Sequence, residues 1–313
     1  MSTADVSRSA RERGNGEAGG DEGTWTVLRL IRWSGEYLDE KGVASGRLDA
    51  EHLLAHALGM ERLQLYLQFD RPLTSEEREA FKPLLRRRAN REPLQYIVGR
   101  AAFRELELRC DARALIPRSE TELLVDRVLE WAAGRDGLEA VDLGTGTGCI
   151  ALALASEGPF ATVWAVDRSA EALSLARENL EGRGEAETVR LILGEGLAAL
   201  PAGVRVDAVV SNPPYVREGE RHALAPEILE HEPHGALFAG EDGMAVIDPL
   251  IPQAADRLRA GGLLALEIGI DQGDQVLERI AAQGGFREAR VYRDLTGRPR
   301  FVTAVRREDG AVH

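Results

Sequence analysis

At 313 residues, 44% apolar and 5% aromatic, the chain is long enough for two domains of roughly 150 residues each, which excludes a fully disordered chain and a miniature scaffold. Its 39 basic and 52 acidic residues leave a net charge of −13, a poor global field for polyphosphate, so nucleic acid is not expected as a partner. Cys110 and Cys149 are too few for a disulfide framework or a four-sulfur metal site, and without a signal-like apolar core or an apolar run of about 18 residues the chain reads as soluble, cytoplasmic and free of membranes.

Residues 1–23 carry almost no large apolar side chain and are expected to be a disordered tail, with a second short tail at 308–313. Over 24–92 apolar residues recur at helical spacing, at Val27, Leu28, Ile31 and Leu38 and again at Leu53, Leu54, Ala57 and Leu58. This predicts a small helical domain, punctuated by Gly42, Gly46 and Gly59, with Asp49 or Asp70 at helix ends. His52 and His56 share a helix face without a third ligand, so no metal is expected, and Arg86, Arg87 and Arg88 read as a solvated helix end. Over 93–117 the period shortens to two at Phe103, Leu106 and Leu108, which predicts a β-hairpin linker.

From 118 to 307 strands alternate with helices: Glu139–Leu143, a helix from Cys149, Ala161–Asp167, a helix near Leu173–Leu180, Thr188–Leu193, Val206–Ser211, a helix over Met244–Leu258, and Gly261–Gly269. That alternation is the pattern of an α/β fold with a mostly parallel sheet and right-handed crossovers. Arg287–Tyr292 and Arg300–Val305, joined by Asp294-Leu-Thr-Gly297, add an antiparallel edge hairpin.

Val141-Asp-Leu-Gly-Thr-Gly-Thr-Gly148 puts three alternate glycines between a strand and a helix, where open α/β sheets bind ligands. Gly144, Gly146 and Gly148 let the backbone turn and approach a ligand; an ordinary residue in the left-handed conformation costs about 1–2 kcal/mol. Asp167, ending the next strand, can accept from both hydroxyls of a ribose, which favours a nucleoside ligand. The spacing is not the G-x-G-x-x-G of dinucleotide sites. With Asp142 two residues ahead of it, the loop resembles the first motif of the class I S-adenosylmethionine (SAM) methyltransferases, a Rossmann-like fold. That resemblance implies SAM as cofactor, Gly144, Thr145, Gly146, Thr147 and Gly148 along its methionine part, Asp167 on its ribose, and Glu195 and Gly196 beside its adenine. Asp142 has a structural role open to it, capping backbone donors of the loop.

Strand Val206–Ser211 runs into Asn212-Pro-Pro-Tyr215, a turn that two prolines make rigid. Placed in the same crevice as the glycine loop, it resembles the motif of methyltransferases acting on planar nitrogens. The chemistry is positioning: the Asn212 side-chain oxygen and the Pro213 carbonyl accept the two N–H bonds and aim the nitrogen at the sulfonium methyl, while Tyr215 packs on the flat face of the group. Methyl transfer to an amide leaves a proton that water removes, so His231 and His234 are not required as bases. Arg118 and Glu267, near the crevice, either order a substrate loop or make structural salt bridges, and Cys149 is a small packing residue.

The tetrapeptide fits adenine and glutamine alike. Glu92-Pro-Leu-Gln-Tyr-Ile-Val-Gly99, Ala102-Phe103, Leu115-Ile-Pro-Arg-Ser-Glu-Thr-Glu122, Asp142–Ala155, Ser211–Val216, Glu232-Pro233, Ala236–Gly243, Leu266-Glu-Ile-Gly269 and Asp294-Leu-Thr-Gly297 together resemble the peptide chain release factor glutamine N5-methyltransferases. The resemblance implies an enzyme that methylates the glutamine of the Gly-Gly-Gln loop in class I release factors, with Asn212, Pro213, Pro214 and Tyr215 binding that glutamine and Asn212 also near SAM; a monomer is expected. The alternatives are an N6-adenine methyltransferase for DNA or RNA and a non-catalytic SAM-binding protein. Two positions depart from the family pattern. Ser119 stands where proline is usual and forms an S-x-x-E capping box with Glu122, and Gly196 stands where a bulky residue usually flanks adenine.

Overall fold

A computed structural model describes residues 24–308. The tail expected at 1–23 lies outside the described residues, as do positions 309–313 of the other tail. The chain divides into two compact units, the first ending at Ala89 and the second beginning at Asn90.

The first unit is helical. Thr26 caps α1 (Val27–Glu40) by accepting from the Arg29 amide, and Val27, Leu30, Ile31 and Leu38 form its buried stripe. Helices α2 (Gly46–Leu58), α3 (Arg62–Tyr66) and α4 (Ser75–Ala89) complete it. Asp49 lies in the first turn of α2, and its carboxylate takes the Arg88 guanidinium of α4 at 2.7 Å, both groups buried. The solvated reading of the arginine run therefore needs correction at Arg88: Arg86 and Arg87 are exposed, whereas Arg88 faces inward because a buried carboxylate awaits it.

The second unit opens with a helix that the period-two reading passed over, α5 (Leu94–Val98), which leads into the antiparallel hairpin of β1 (Arg100–Phe103) and β2 (Leu106–Arg109). At the hairpin turn Arg104 has φ 52°, its amide donates to Glu122 Oε1, and its guanidinium reaches Asp126 and Glu157. Glu122 belongs to α6 (Ser119–Ala132), and this contact replaces the expected capping box. The N-cap is Arg118, without a side-chain cap, Ser119 is the first helical residue with its hydroxyl on Glu120, and Glu122 satisfies the hairpin turn instead.

The Rossmann-like sheet follows, with its connecting helices: β3 (Leu138–Leu143), α7 (Cys149–Glu157), β4 (Phe160–Asp167), α8 (Ala170–Leu180), β5 (Val189–Leu193), β6 (Val206–Ser211), α9 (Pro226–His231), α10 (Ile247–Arg257), β7 (Leu258–Glu267), α11 (Gly273–Gln283), β8 (Phe286–Arg293) and β9 (Pro299–Arg306). The strand order is β5-β4-β3-β6-β7-β9-β8. Neighbours from β5 to β7 run parallel, and β9, the last in the chain, inserts antiparallel between β7 and β8. Alternate residues of the inner strands enter different cores: Ala140, Ala208 and Ala265 pack with α6 and α7, while Val141, Val209 and Leu266 pack with α10 and α11. Burial on both faces explains why these strands read as continuous apolar runs.

The order reverses at β3, which has β4 on one side and β6 on the other. Crevices at such a switch point, outside the carboxyl ends of the strands, are where this architecture takes its ligands. The register makes the consequence local: Leu143 pairs with Ser211, so Gly144 and Asn212 leave the sheet side by side. Ser211 Oγ donates to the Leu143 carbonyl at 2.7 Å and clasps the two exits together.

Candidate active site

A cavity of about 470 Å³ opens at that switch point. Of the residues singled out in the sequence, Gly144, Thr145, Gly146, Thr147, Asp167, Glu195, Gly196, Asn212, Pro213 and Pro214 line it. Gly148 and Tyr215 do not.

The three loop glycines have φ of 74°, 56° and 84°, the left-handed region that an L side chain resists. Gly148 is the N-cap of α7 and lies against α8, where a Cβ would meet Ala176 Cβ at 3.4 Å. Beneath the loop the buried Asp142 accepts from Thr145 Oγ1 at 2.6 Å and from the Ala151 amide at 3.1 Å, so it ties the loop to the start of α7. Burial pushes its carboxyl up to about 7; the two hydrogen bonds oppose that rise and the nearby Asp167 adds to it. Asp167 Oδ2 accepts from the Gly146 amide and Oδ1 from the Ser169 amide, both at 2.9 Å. A carboxylate has about four acceptor positions, so each oxygen keeps capacity for a further donor in the cavity.

Beyond β5, Gly196 has φ 63° and ψ −170°. Gln253, which the sequence reading did not single out, reaches over from α10 and accepts the Leu197 amide at 2.7 Å. A Cβ on Gly196 would fall 2.5 Å from Gln253 Oε1. Gln253 thus lines the cavity where the bulky residue was missed. No local pattern could announce it, because it comes from a helix 57 positions on (253 − 196).

The opposite wall is held by side chains from distant elements. Asn212 Nδ2 donates to Thr121 Oγ1 of α6 at 3.1 Å, and Thr121 donates to Glu267 Oε2 at the end of β7 at 2.7 Å. The Tyr215 hydroxyl donates to Glu267 Oε1 at 3.2 Å and accepts from Arg300 Nη1 of β9 at 3.3 Å. Tyr215 therefore backs the wall. Burial raises Glu267 to about 7, against the pull of Thr121, Arg300 and Tyr215 and with Glu120 adding to the rise. Burial also raises the Tyr215 phenol, helped by the Glu267 charge.

Arg118 makes a structural salt bridge, while Glu267 is taken up by the hydroxyls of Thr121 and Tyr215. Arg118 lines the cavity and holds the buried Glu232 at 2.6 Å; burial raises that carboxyl while Arg118 opposes the rise. Neither His231 nor His234 lines the cavity, and the His234 ring bonds the Leu229 carbonyl. Cys149 borders the cavity at the start of α7, but burial pushes its thiol up to about 12, which keeps it protonated at neutral pH. Among the described residues there is no group of three His, Cys, Asp or Glu able to hold a metal ion.

Comparison with known proteins covers both units. The model of the PrmC N-terminal domain matches residues 29–99, and that of the methyltransferase small domain matches residues 119–240. The release factor glutamine methyltransferase of Geobacter sulfurreducens is 41% identical over 279 residues, covering 89% of this chain and 96% of that protein. Its counterpart by name in Mycolicibacterium smegmatis is 45% identical over 269 residues, covering 85% and 92%. That of Streptomyces coelicolor is 42% identical over 281 residues, covering 89% and 97%.

Proposed function

The chain belongs to the release factor glutamine methyltransferases, and from that membership we propose that it transfers the methyl group of SAM to the side-chain amide nitrogen, N5, of the glutamine in the Gly-Gly-Gln motif of class I release factors. The observation that carries this reading is the pairing of Leu143 with Ser211, which brings the glycine loop and Asn212 to one cavity.

The residues present suit SAM. The glycine-lined backbone from Gly144 to Thr147 leaves room for the methionine part, with Gly148 starting the helix behind it. Asp167 has the free acceptor positions that ribose hydroxyls need, and Glu195, Gly196 and Gln253 border the adenine side. When bound, SAM supplies an electrophilic methyl: the N–C bond forms as the S–C bond breaks, the electron pair stays on sulfur, and the amide nitrogen releases one proton to water.

An amide nitrogen is a poor nucleophile because its lone pair is delocalised, and decoupling it fully would cost about 18–20 kcal/mol. The chain's contribution is alignment. Asn212 Oδ1 and the Pro213 carbonyl accept the two N–H bonds, Pro214 lines the cavity beside the group, Tyr215 supports that wall from behind through Glu267, and Asn212 also borders the methyl donor. Holding reacting atoms in line at roughly 3–3.5 Å is worth about 7–11 kcal/mol. The net charge of −13 favours a protein substrate over a polyphosphate. No helix among the described residues is long and apolar enough to cross a membrane, and we place the reaction in the cytoplasm, where release factors act.

The test is methyl transfer from labelled SAM to an intact release factor, to one whose Gly-Gly-Gln glutamine is replaced, and to DNA and RNA. Label should enter the first alone. Label in nucleic acid, or label that survives replacement of the glutamine, overturns the reading.

A further inference from the structure

A carboxamide can present either of its ends. The oxygen accepts, the nitrogen donates, and the two are close enough in size that packing alone does not choose between them. For Asn212 the choice matters, because the substrate nitrogen brings N–H bonds that only an oxygen can receive.

The hydrogen bonds behind Asn212 make that choice. Arg300 donates to the Tyr215 oxygen, so the Tyr215 proton turns to Glu267 Oε1. An ionised carboxylate has no proton to give, so at Glu267 Oε2 the donor must be Thr121. With its one proton committed, Thr121 Oγ1 offers Asn212 only lone pairs, and it meets Nδ2 at 3.1 Å. A flipped carboxamide would set Oδ1 against those lone pairs. Thr121 and Glu267 are 2% and 1% exposed, so little water competes for these bonds.

We propose that Thr121, held by Glu267, is a positioning residue that orients the Asn212 carboxamide so that Oδ1 is the atom presented to the substrate nitrogen. The inference rests on the amide-methylation reading above and deepens it. Two arms of donors converge on Glu267, one running from Asn212 through Thr121 to Oε2 and the other from Arg300 of β9 through Tyr215 to Oε1.

The experiment uses the full chain with SAM and a Gly-Gly-Gln release factor above neutral pH, where Glu267 is ionised. It compares the wild type, Thr121→Val, Thr121→Ser, Asn212→Ala and the Thr121→Val/Asn212→Ala double variant. Thr121→Val should lower kcat by about tenfold or more with SAM affinity within about twofold, and Thr121→Ser should return to within about threefold of the wild type. If Thr121 acts through Asn212, adding Thr121→Val to Asn212→Ala should cost less than about twofold further. Thr121→Val at the wild-type rate, or an equal loss in both backgrounds, overturns the inference while the methylation reading stands. A wild type that leaves the glutamine unmethylated overturns both.

Discussion

The two walls of the cavity are built in different ways. The wall carrying the glycine loop is local: Asp142 reaches Thr145 and Ala151, and the Asp167 carboxylate reaches the Gly146 and Ser169 amides, all between positions 142 and 169. The wall carrying Asn212 is assembled from α6, the turn after β6, the end of β7 and β9, so its hydrogen bonds join residues 91 and 146 positions apart. One wall is a property of a segment and the other a property of the strand order. The local wall presents backbone and a carboxylate to the cavity; the assembled wall presents a carboxamide held from behind by other side chains.

Substitutions on one wall or the other sharpen the contrast. The largest effect should come from Asn212→Ala, which removes a preorganised acceptor: turnover falls roughly 10²-fold or more while SAM binding, followed by calorimetry, changes little. A comparable loss of SAM affinity would merge the two walls into one function. Asp167→Ala should do the reverse, weakening SAM by about tenfold to a hundredfold, the worth of hydrogen bonds to a charged group, with much of the turnover recovered at saturating SAM.

The smallest effect concerns stability. Burial raises the native Asp142 carboxyl to about 7, above its unfolded value, so the folded chain keeps a proton that the unfolded chain gives up. Its stabilising contribution is complete at acid pH and is lost as the pH rises through about 7. Asp142→Asn, uncharged throughout, should flatten the wild-type fall in Tm across that window by a few degrees, as read by thermal melts at a series of pH values. An unchanged slope would mean that this buried charge is already balanced.

The same contrast explains what was legible beforehand. The strands of the sheet showed because double-sided burial leaves apolar runs between turns, and the glycine loop showed because backbone geometry demands residue types that can be recognised. The family itself was legible in the ordered motifs. Side-chain partnerships were not. Glu122 was read with Ser119, three positions away, and instead serves the hairpin turn at Arg104. Arg88 looked like a surface charge until α4 brought it to Asp49. Thr121 sits inside the motif Leu115–Glu122 but its role does not show there, since it acts through a hydroxyl between two other side chains, and Gln253 carries no local signature, acting through an amide laid across a glycine. The five-residue helix α5 is too short to show a helical period before the hairpin.

Asn179 of α8 draws the hairpin into this economy of contacts. Its side chain imitates a peptide group, receiving the Arg109 amide at 2.7 Å and giving its own N–H bonds to the carbonyls of Arg109 and Thr147. One end of strand β2 and the glycine loop are therefore hung from a single amide. Taking that hanger away, as Asn179→Leu would, releases the Arg109 amide and the Thr147 carbonyl together, so a disturbance at the hairpin and one at the glycine loop would arrive as a single event.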